Sequence, residues 1–202
     1  MSIILNRNIR FEGKWLRFVD ISFQTASGSV SNWESIERCA YSNGKLSSVE
    51  VLPLIYYPVS KKETEVVLVR QFRPPASVYS LELPAGLIDG NEGPEIAAHR
   101  ELAEETGFQG SIILTSPIFL SGPSVSASRS IYCVAKINGD AQDFVNEPEQ
   151  NLEETEDLSV VRFPLNSLYE NLVTYSEAGG SVEARLFSLA LGIFIKNKLS
   201  DL

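Results

Sequence analysis

The stretch that decides the fold is Gly86-Leu-Ile-Asp-Gly-Asn-Glu92-Gly-Pro94-Glu-Ile-Ala-Ala-His-Arg100-Glu101-Leu102-Ala-Glu104-Glu105-Thr-Gly107-Phe108. A glycine-rich loop, Gly86 to Gly93, opens on Pro94. Proline suits the first helical turn because the N–H it lacks would have had no partner there. The spacing predicts a helix over Ile96–Thr106 with Gly107 as its left-handed C-terminal cap. On that helix Glu101, Glu104 and Glu105 fall within about 100° of the circumference, with Ala98 and Leu102 beside the arc. Like charges at these spacings repel. A solvated acidic face is the ordinary reading of such a run. The other reading is that Arg100, a hard divalent ion, or both offset the repulsion. Magnesium is the natural ion, since it takes carboxylate oxygens and keeps waters and substrate phosphates in its remaining positions.

Upstream of this stretch, Val49–Tyr57 and Glu65–Phe72 are β-branched runs fit for central strands, followed by an extended stretch to Leu83. Downstream, strands are predicted at Ile112–Leu120, Ser130–Ile137 and Leu158–Phe163, and helices at Leu165–Leu172 and Val182–Lys198. An acidic loop separates Asp140 from Asp157. Residues 1–47 are polar and interrupted, with strand-like pieces at Lys14–Ser22 and Val30–Tyr41, and read as a small β-meander lobe. The whole is an α/β chain with a mixed sheet between helices. It divides into residues 1–47 and residues 48–202. So small a meander cannot bury its own core, which points to pairing with a second copy.

Composition excludes several functions. Acidic residues outnumber basic ones 26 to 17, a net charge of −9. That field repels polyanions, so neither nucleic acid nor an anionic membrane is an expected partner. Two cysteines, Cys39 and Cys133, exclude a disulfide framework and a four-cysteine zinc ribbon. The single histidine, His99, excludes multi-histidine metal sites and reads as a surface or packing residue. The N-terminal apolar run is too short for a secretory signal. The most apolar late segment, Leu186–Ile195, is about half of the ~20 residues a membrane span needs. A soluble protein of a reducing compartment is expected, cytoplasmic or nuclear.

The segment from Gly86 to Phe108 matches every fixed position of Gly-x5-Glu-x7-Arg-Glu-apolar-x-Glu-Glu-x-Gly-apolar, and in this it resembles the Nudix box. The resemblance implies a Nudix fold and Mg²⁺-dependent cleavage of a nucleoside diphosphate linked to another group, with Mn²⁺ as the alternative ion. By position, Glu101 and Glu105 are the principal metal ligands it implies, with Glu104 a further ligand or metal-water contact and the Ala85 carbonyl an extra one. It also implies that Arg100 orients a neighbouring carboxylate and that Glu92 holds the loop against the helix.

The likeness extends beyond the box. Glu12-Gly-Lys-Trp15, Trp33-Glu-Ser-Ile-Glu-Arg38, Gln71-Phe-Arg73-Pro-Pro75 and Glu82-Leu-Pro-Ala-Gly-Leu-Ile-Asp89 resemble eukaryotic ADP-ribose (ADP-sugar) pyrophosphatases. This implies release of AMP and ribose 5-phosphate by a homodimer. In that family two tryptophans, one from each subunit, sandwich the adenine. Trp15 and Trp33 stand at the matching positions and are otherwise candidates for core filling. Arg38 and Arg73 match residues that contact the diphosphate or terminal ribose, a task suited to a planar guanidinium; otherwise they are surface ion-pair partners. Leu87 would line the substrate groove. The family's general base is a loop glutamate, for which Glu153, Glu154 and Glu156 compete, Glu156 being favoured by its spacing from Phe163-Pro164. Ser121-Gly122-Pro123-Ser124-Val125-Ser126 departs from the family's usual Asp-Pro-Gly-apolar-Ser/Thr. A Nudix enzyme acting on an oxidised purine nucleotide or dinucleotide, and a non-cleaving ADP-ribose-binding module, are the competing readings.

Overall fold

The computed structural model describes residues 1–200, without the side chains of residues 42–44 and 200; the last two positions of the predicted second domain lie outside the described residues. In chain order the strands are β1 (Ile3–Glu12), β2 (Leu16–Gln24), β3 (Val30–Arg38), β4 (Leu46–Tyr56), β5 (Glu65–Arg73), β6 (Val78–Glu82) and β7 (Ala85–Leu87). Helix α1 (Pro94–Thr106) follows, then β8 (Ser111–Thr115), β9 (Phe119–Leu120), β10 (Arg129–Asn138) and β11 (Leu158–Pro164). The chain closes with α2 (Leu168–Glu177), β12 (Ser181–Val182) and α3 (Ala184–Ser200).

Two compact units result, Met1–Ser48 with Pro117–Ile131, and Val49–Ser116 with Tyr132–Leu202. The first is built on the antiparallel order β1-β2-β3. Residues 117–131 join it because the carbonyl of Val125 accepts from the Ile36 N–H at 2.8 Å and that of Ser124 accepts from the Trp33 indole at 2.8 Å. Its buried apolar side chains are Val19 and Ile131, whereas Ile4, Ile9 and Phe11 of β1 are exposed. Inside it, buried Glu37 accepts from two of the three guanidinium nitrogens of Arg17, at 2.8 and 3.0 Å, and from Arg7 as well. Strand β1 was not expected from the sequence: bulges between Ile4 and Asn6 and between Ile9 and Phe11 break its alternation.

In the second unit the strand path is β12-β6-β5-β4-β10-β8, with β11 on β5 and β7 on β4. The pairing is mixed: β11 and β6 flank β5 antiparallel, and β12 joins β6 in parallel. Val66 and Leu68 of β5 pack with Leu168 and Leu172 of α2 and Leu186 and Ala190 of α3. Val67 and Val69, pointing to the other face, are equally buried, and α1 packs on β5, β7, β8 and β11. A sheet buried on both faces reads as an unbroken apolar run, which is why β5 is Val-Val-Leu-Val at its centre. The α/β sandwich is thus the observed architecture.

Several boundaries moved. The expected helix over Val182–Lys198 begins at Ala184, because Val182 is in β12 beside Leu81. Leu165–Ser167 forms a 3-10 turn, and helix follows only from Leu168. The strand expected over Ile112–Leu120 is split into β8 and β9, Pro117 in the gap having no N–H to give. The piece expected over Val30–Tyr41 leaves strand at Arg38, where a 3-10 turn begins at Cys39. Leu186–Ile195, the most apolar late segment, is core-packing helix, and no helix among the described residues is long and apolar enough to cross a membrane. Cys39 and Cys133 are both free.

Candidate active site

The site grows from α1. Gly93 leads into Pro94, and the helix stops at Gly107, which adopts φ 72° and donates its N–H to the Ala103 carbonyl at 2.9 Å. The buried stripe of this helix is Ala97, Ala98, Glu101, Leu102, Glu105 and Thr106. Two carboxylates therefore lie on the core-facing side, where apolar residues belong. This removes the solvated acidic face as an account of them, since an unpaired buried charge is costly. Glu104 is only half-buried, and His99 is exposed.

Strand β7 brings the loop against these carboxylates. The Ala85 N–H donates to Glu105 Oε2 at 3.0 Å. A Cβ on Gly86 would stand 1.9 Å from Glu101 Oε1, so only glycine leaves the Glu101 carboxylate its place. The side chain of Arg100 ties the loop to the helix: it donates to the Leu87 carbonyl at 2.8 Å, to Glu92 at 2.6 Å, to Glu101 at 2.7 Å and to Glu104 at 3.1 Å. Glu92 also accepts the Asp89 N–H at 2.8 Å, closing the turn before the helix.

The electrostatics follow from this geometry. Burial pushes the Glu105 carboxyl up to about 8, helped by the charges of Glu101 and Glu156 and opposed by the Ala85 N–H and Arg73. Burial likewise raises Glu101, with Arg100 opposing and Glu104 and Glu156 adding to the rise. Hydrogen bonding to Arg100 holds Glu92 below the usual carboxylate range. The charge of Glu156, one of the three competing loop glutamates, adds to the rise of both Glu101 and Glu105. Arg73 is held by a two-pronged ion pair to buried Glu82, at 2.8 and 2.6 Å, and the charge of Glu105 also raises its pKa.

The second unit thus brings Arg73, Ala85, Leu87, Glu101, Glu104, Glu105 and Glu156 into one electrostatic neighbourhood. Trp15, Trp33 and Arg38 belong to the first unit. Both indoles are exposed, at 69% and 51%, so neither fills a core gap. The Lys14 ammonium lies 4.5 Å from the Trp15 ring centre. Arg38 is exposed and makes no ion pair among the described residues. Glu82 has no role in the sequence reading, although its place nine residues after Arg73, on the adjacent strand β6, is what lets the two side chains pair.

The donor set favours one kind of divalent ion. Among the described residues no three Asp, Glu, His or Cys side chains form a preformed cage. The donors present are two buried, mutually repelling carboxylates beside a position where only glycine fits. Those features fit an ion that takes one or two carboxylates and completes its shell with water and phosphate oxygens.

Comparison with known proteins identifies the family. The NUDIX domain model matches residues 55–180. The chain is 31% identical to the ADP-sugar pyrophosphatase of Mus musculus over 95% of its own length and 87% of that protein's. It is also 31% identical to the ADP-ribose pyrophosphatase of Saccharomyces cerevisiae, over 90% and 78% of the two chains. A solved structure described as an ADP compounds hydrolase shares the fold, with a TM-score of 0.70, 22% identity, and coverage of 99% of this chain and 95% of that one. With a family model spanning more than half of its residues, and a box helix that buries its carboxylates against the loop that precedes it, this chain belongs to the NUDIX family.

Proposed function

We propose that this protein hydrolyses the diphosphate bond of ADP-ribose and related ADP-sugars, giving AMP and ribose 5-phosphate, with Mg²⁺ as its ion and Mn²⁺ as a substitute. The observation that carries the reading is the burial of Glu101 and Glu105 on the core-facing stripe of α1, at 8% and 4% exposure, with the Ala85 N–H hydrogen-bonded to Glu105. The relatives' names supply the substrate class.

In this reading Glu101 and Glu105 hold the ion, with Glu104 and the Ala85 carbonyl as further donors. When bound, the ion supplies Lewis-acid neutralisation of the diphosphate charge. Arg100 keeps Glu101 and Glu104 from turning away, because one guanidinium binds both together with the Leu87 carbonyl. Arg73, with its plane set by Glu82, presents its remaining N–H groups to the diphosphate, and Arg38 adds a second guanidinium. Leu87 lines the groove. Glu156 takes the proton of the attacking water as its oxygen bonds to phosphorus and the bridging P–O bond breaks.

The lobe of residues 1–47 stacks the adenine on Trp15 and Trp33 and pairs two copies of the chain, leaving residues 48–202 to carry the hydrolase. Support for the pairing is the apolar surface left open on the lobe, where Phe11, Ile4 and Ile9 are exposed at 68%, 58% and 49%. Incubation with ADP-ribose and millimolar Mg²⁺ should yield equimolar AMP and ribose 5-phosphate. Intact ADP-ribose would sink the reading. Glu105→Gln should lose turnover by orders of magnitude while nucleotide binding largely survives.

A further inference from the structure

The segment that carries Glu156 is a strap pinned at both ends. Upstream, the Gln150 side-chain amide donates to the Glu105 carbonyl and the Asn151 N–H to the Glu104 carbonyl at 2.9 Å, so the strap fills two carbonyls that the end of α1 leaves open. The Glu149 carbonyl passes 2.4 Å from where a Cβ of Gly107 would stand. Downstream, the Phe72 N–H donates to the Asp157 carbonyl at 3.0 Å, and the Tyr79 hydroxyl donates to Asp157 Oδ2 at 2.5 Å. The Tyr79 ring is itself held, with the Arg70 guanidinium 3.7 Å from its centre and the Phe72 ring tilted against it at 5.4 Å. Between the anchors, Glu156 closes a turn on itself: its N–H donates to the Glu153 carbonyl at 3.0 Å, and its carboxylate accepts the Glu153 N–H at 3.0 Å.

We propose that Tyr79 is a positioning residue for the hydrolysis: its phenol, held over β5 and β6, fixes Asp157 and thereby the downstream end of the strap that presents Glu156. Gln150 does the same at the upstream end, from the helix that carries Glu101 and Glu105. The proposal rests on Glu156 being the proton acceptor of the preceding section. Only one peptide unit separates Asp157 from Glu156, so loss of the phenol contact lets the glutamate sample more orientations without touching any group that meets the nucleotide.

The test uses the full-length protein with ADP-ribose and Mg²⁺. Tyr79→Phe removes one hydroxyl and keeps the ring between Arg70 and Phe72. It should lower kcat on the order of tenfold, the loss of one hydrogen bond to a carboxylate, with KM unchanged, and hydrogen exchange at the amides of residues 152–157 should speed up. Gln150→Ala should act in the same direction. Placed in a Glu156→Gln background, Tyr79→Phe should cost nothing further, a result that a general loss of stability would not produce. Wild-type kcat in Tyr79→Phe, or losses that simply multiply in the double variant, overturn the proposal. Full activity in Glu156→Gln alone overturns the proton-acceptor reading instead, and the exchange data then still report whether Tyr79 anchors the strap.

Discussion

Replacing Glu105 by glutamine should make the metal-free protein more stable while abolishing its turnover. Glu105 is 4% exposed, and burial with the charges of Glu101 and Glu156 lifts its carboxyl from an ordinary 4.5 to about 8. Because the folded-state value is the higher one, the unfolded chain gives up its proton first. Stability is therefore full below about 4.5, falls as pH rises towards 8 and levels off above it. Each tenfold in proton affinity is worth 1.36 kcal/mol, so the rise corresponds to an upper figure of about 5 kcal/mol. Relaxation and water entry around the carboxylate reduce this to about 2–3 kcal/mol, or about 5–10 °C in Tm for a chain of this size. The glutamine side chain would keep an oxygen for the Ala85 N–H, so the change removes charge and little else. The assay is thermal and urea unfolding in EDTA at pH 5 and pH 8.5. Between the two, wild type should lose about 2–3 kcal/mol more than Glu105→Gln, which keeps the shared contributions of Glu50 and Glu101. Millimolar Mg²⁺ should restore wild type at pH 8.5 and leave the variant unmoved. Equal pH dependence in the two proteins would refute the claim that an uncompensated buried charge is stored at the helix.

Three further outcomes follow from the same structure. Gly86→Ala puts a methyl 1.9 Å from Glu101 Oε1 and must expel that carboxylate; Mg²⁺ affinity by calorimetry and kcat should each fall at least tenfold in a protein that still folds. Arg185→Leu strands Glu50, which is 5% exposed, raised by burial to about 7 and paired with Arg185. The cost should be about 3 kcal/mol at pH 8 and much smaller at pH 5, where Glu50 is protonated and needs no partner, as urea denaturation at the two pH values would show. Phe11→Asp, on the exposed face of β1, should convert the proposed dimer into monomers in sedimentation and leave the far-UV spectrum unchanged.

Helix α1 and strand β5 were legible because each carries local punctuation or an uninterrupted pattern. Pro94 and Gly107 bracket α1, and β5 is too apolar to lie anywhere but between two layers. Strand β1 was not legible: its two bulges break the alternation, and its apolar side chains meet no core of their own. The split between β8 and β9, and the two-residue strand at Val182, depend on partners distant in sequence, Ser130 for β9 and Leu81 for β12. At the site, the box residues could be named from spacing, but their burial could not. The ion pair of Arg73 with Glu82 needed β5 and β6 to be neighbours, a fact of sheet order.

What the chain determined by itself was chemical inventory and helical phase: three glutamates on about 100° of one helix, one arginine beside them, and too few histidines and cysteines for a multi-histidine or four-cysteine metal site. Those follow from covalent order and a fixed pitch. Tertiary structure alone decided that Glu101 and Glu105 face inward, that Gly86 leaves room for one of them and Ala85 donates to the other, and that the strap bearing Glu156 is tied to Tyr79 and to the end of α1. Each of these is a contact between segments far apart in the chain, and its energy depends on what surrounds the charge. No local pattern records how much water a carboxylate will lose when the sheet closes over it.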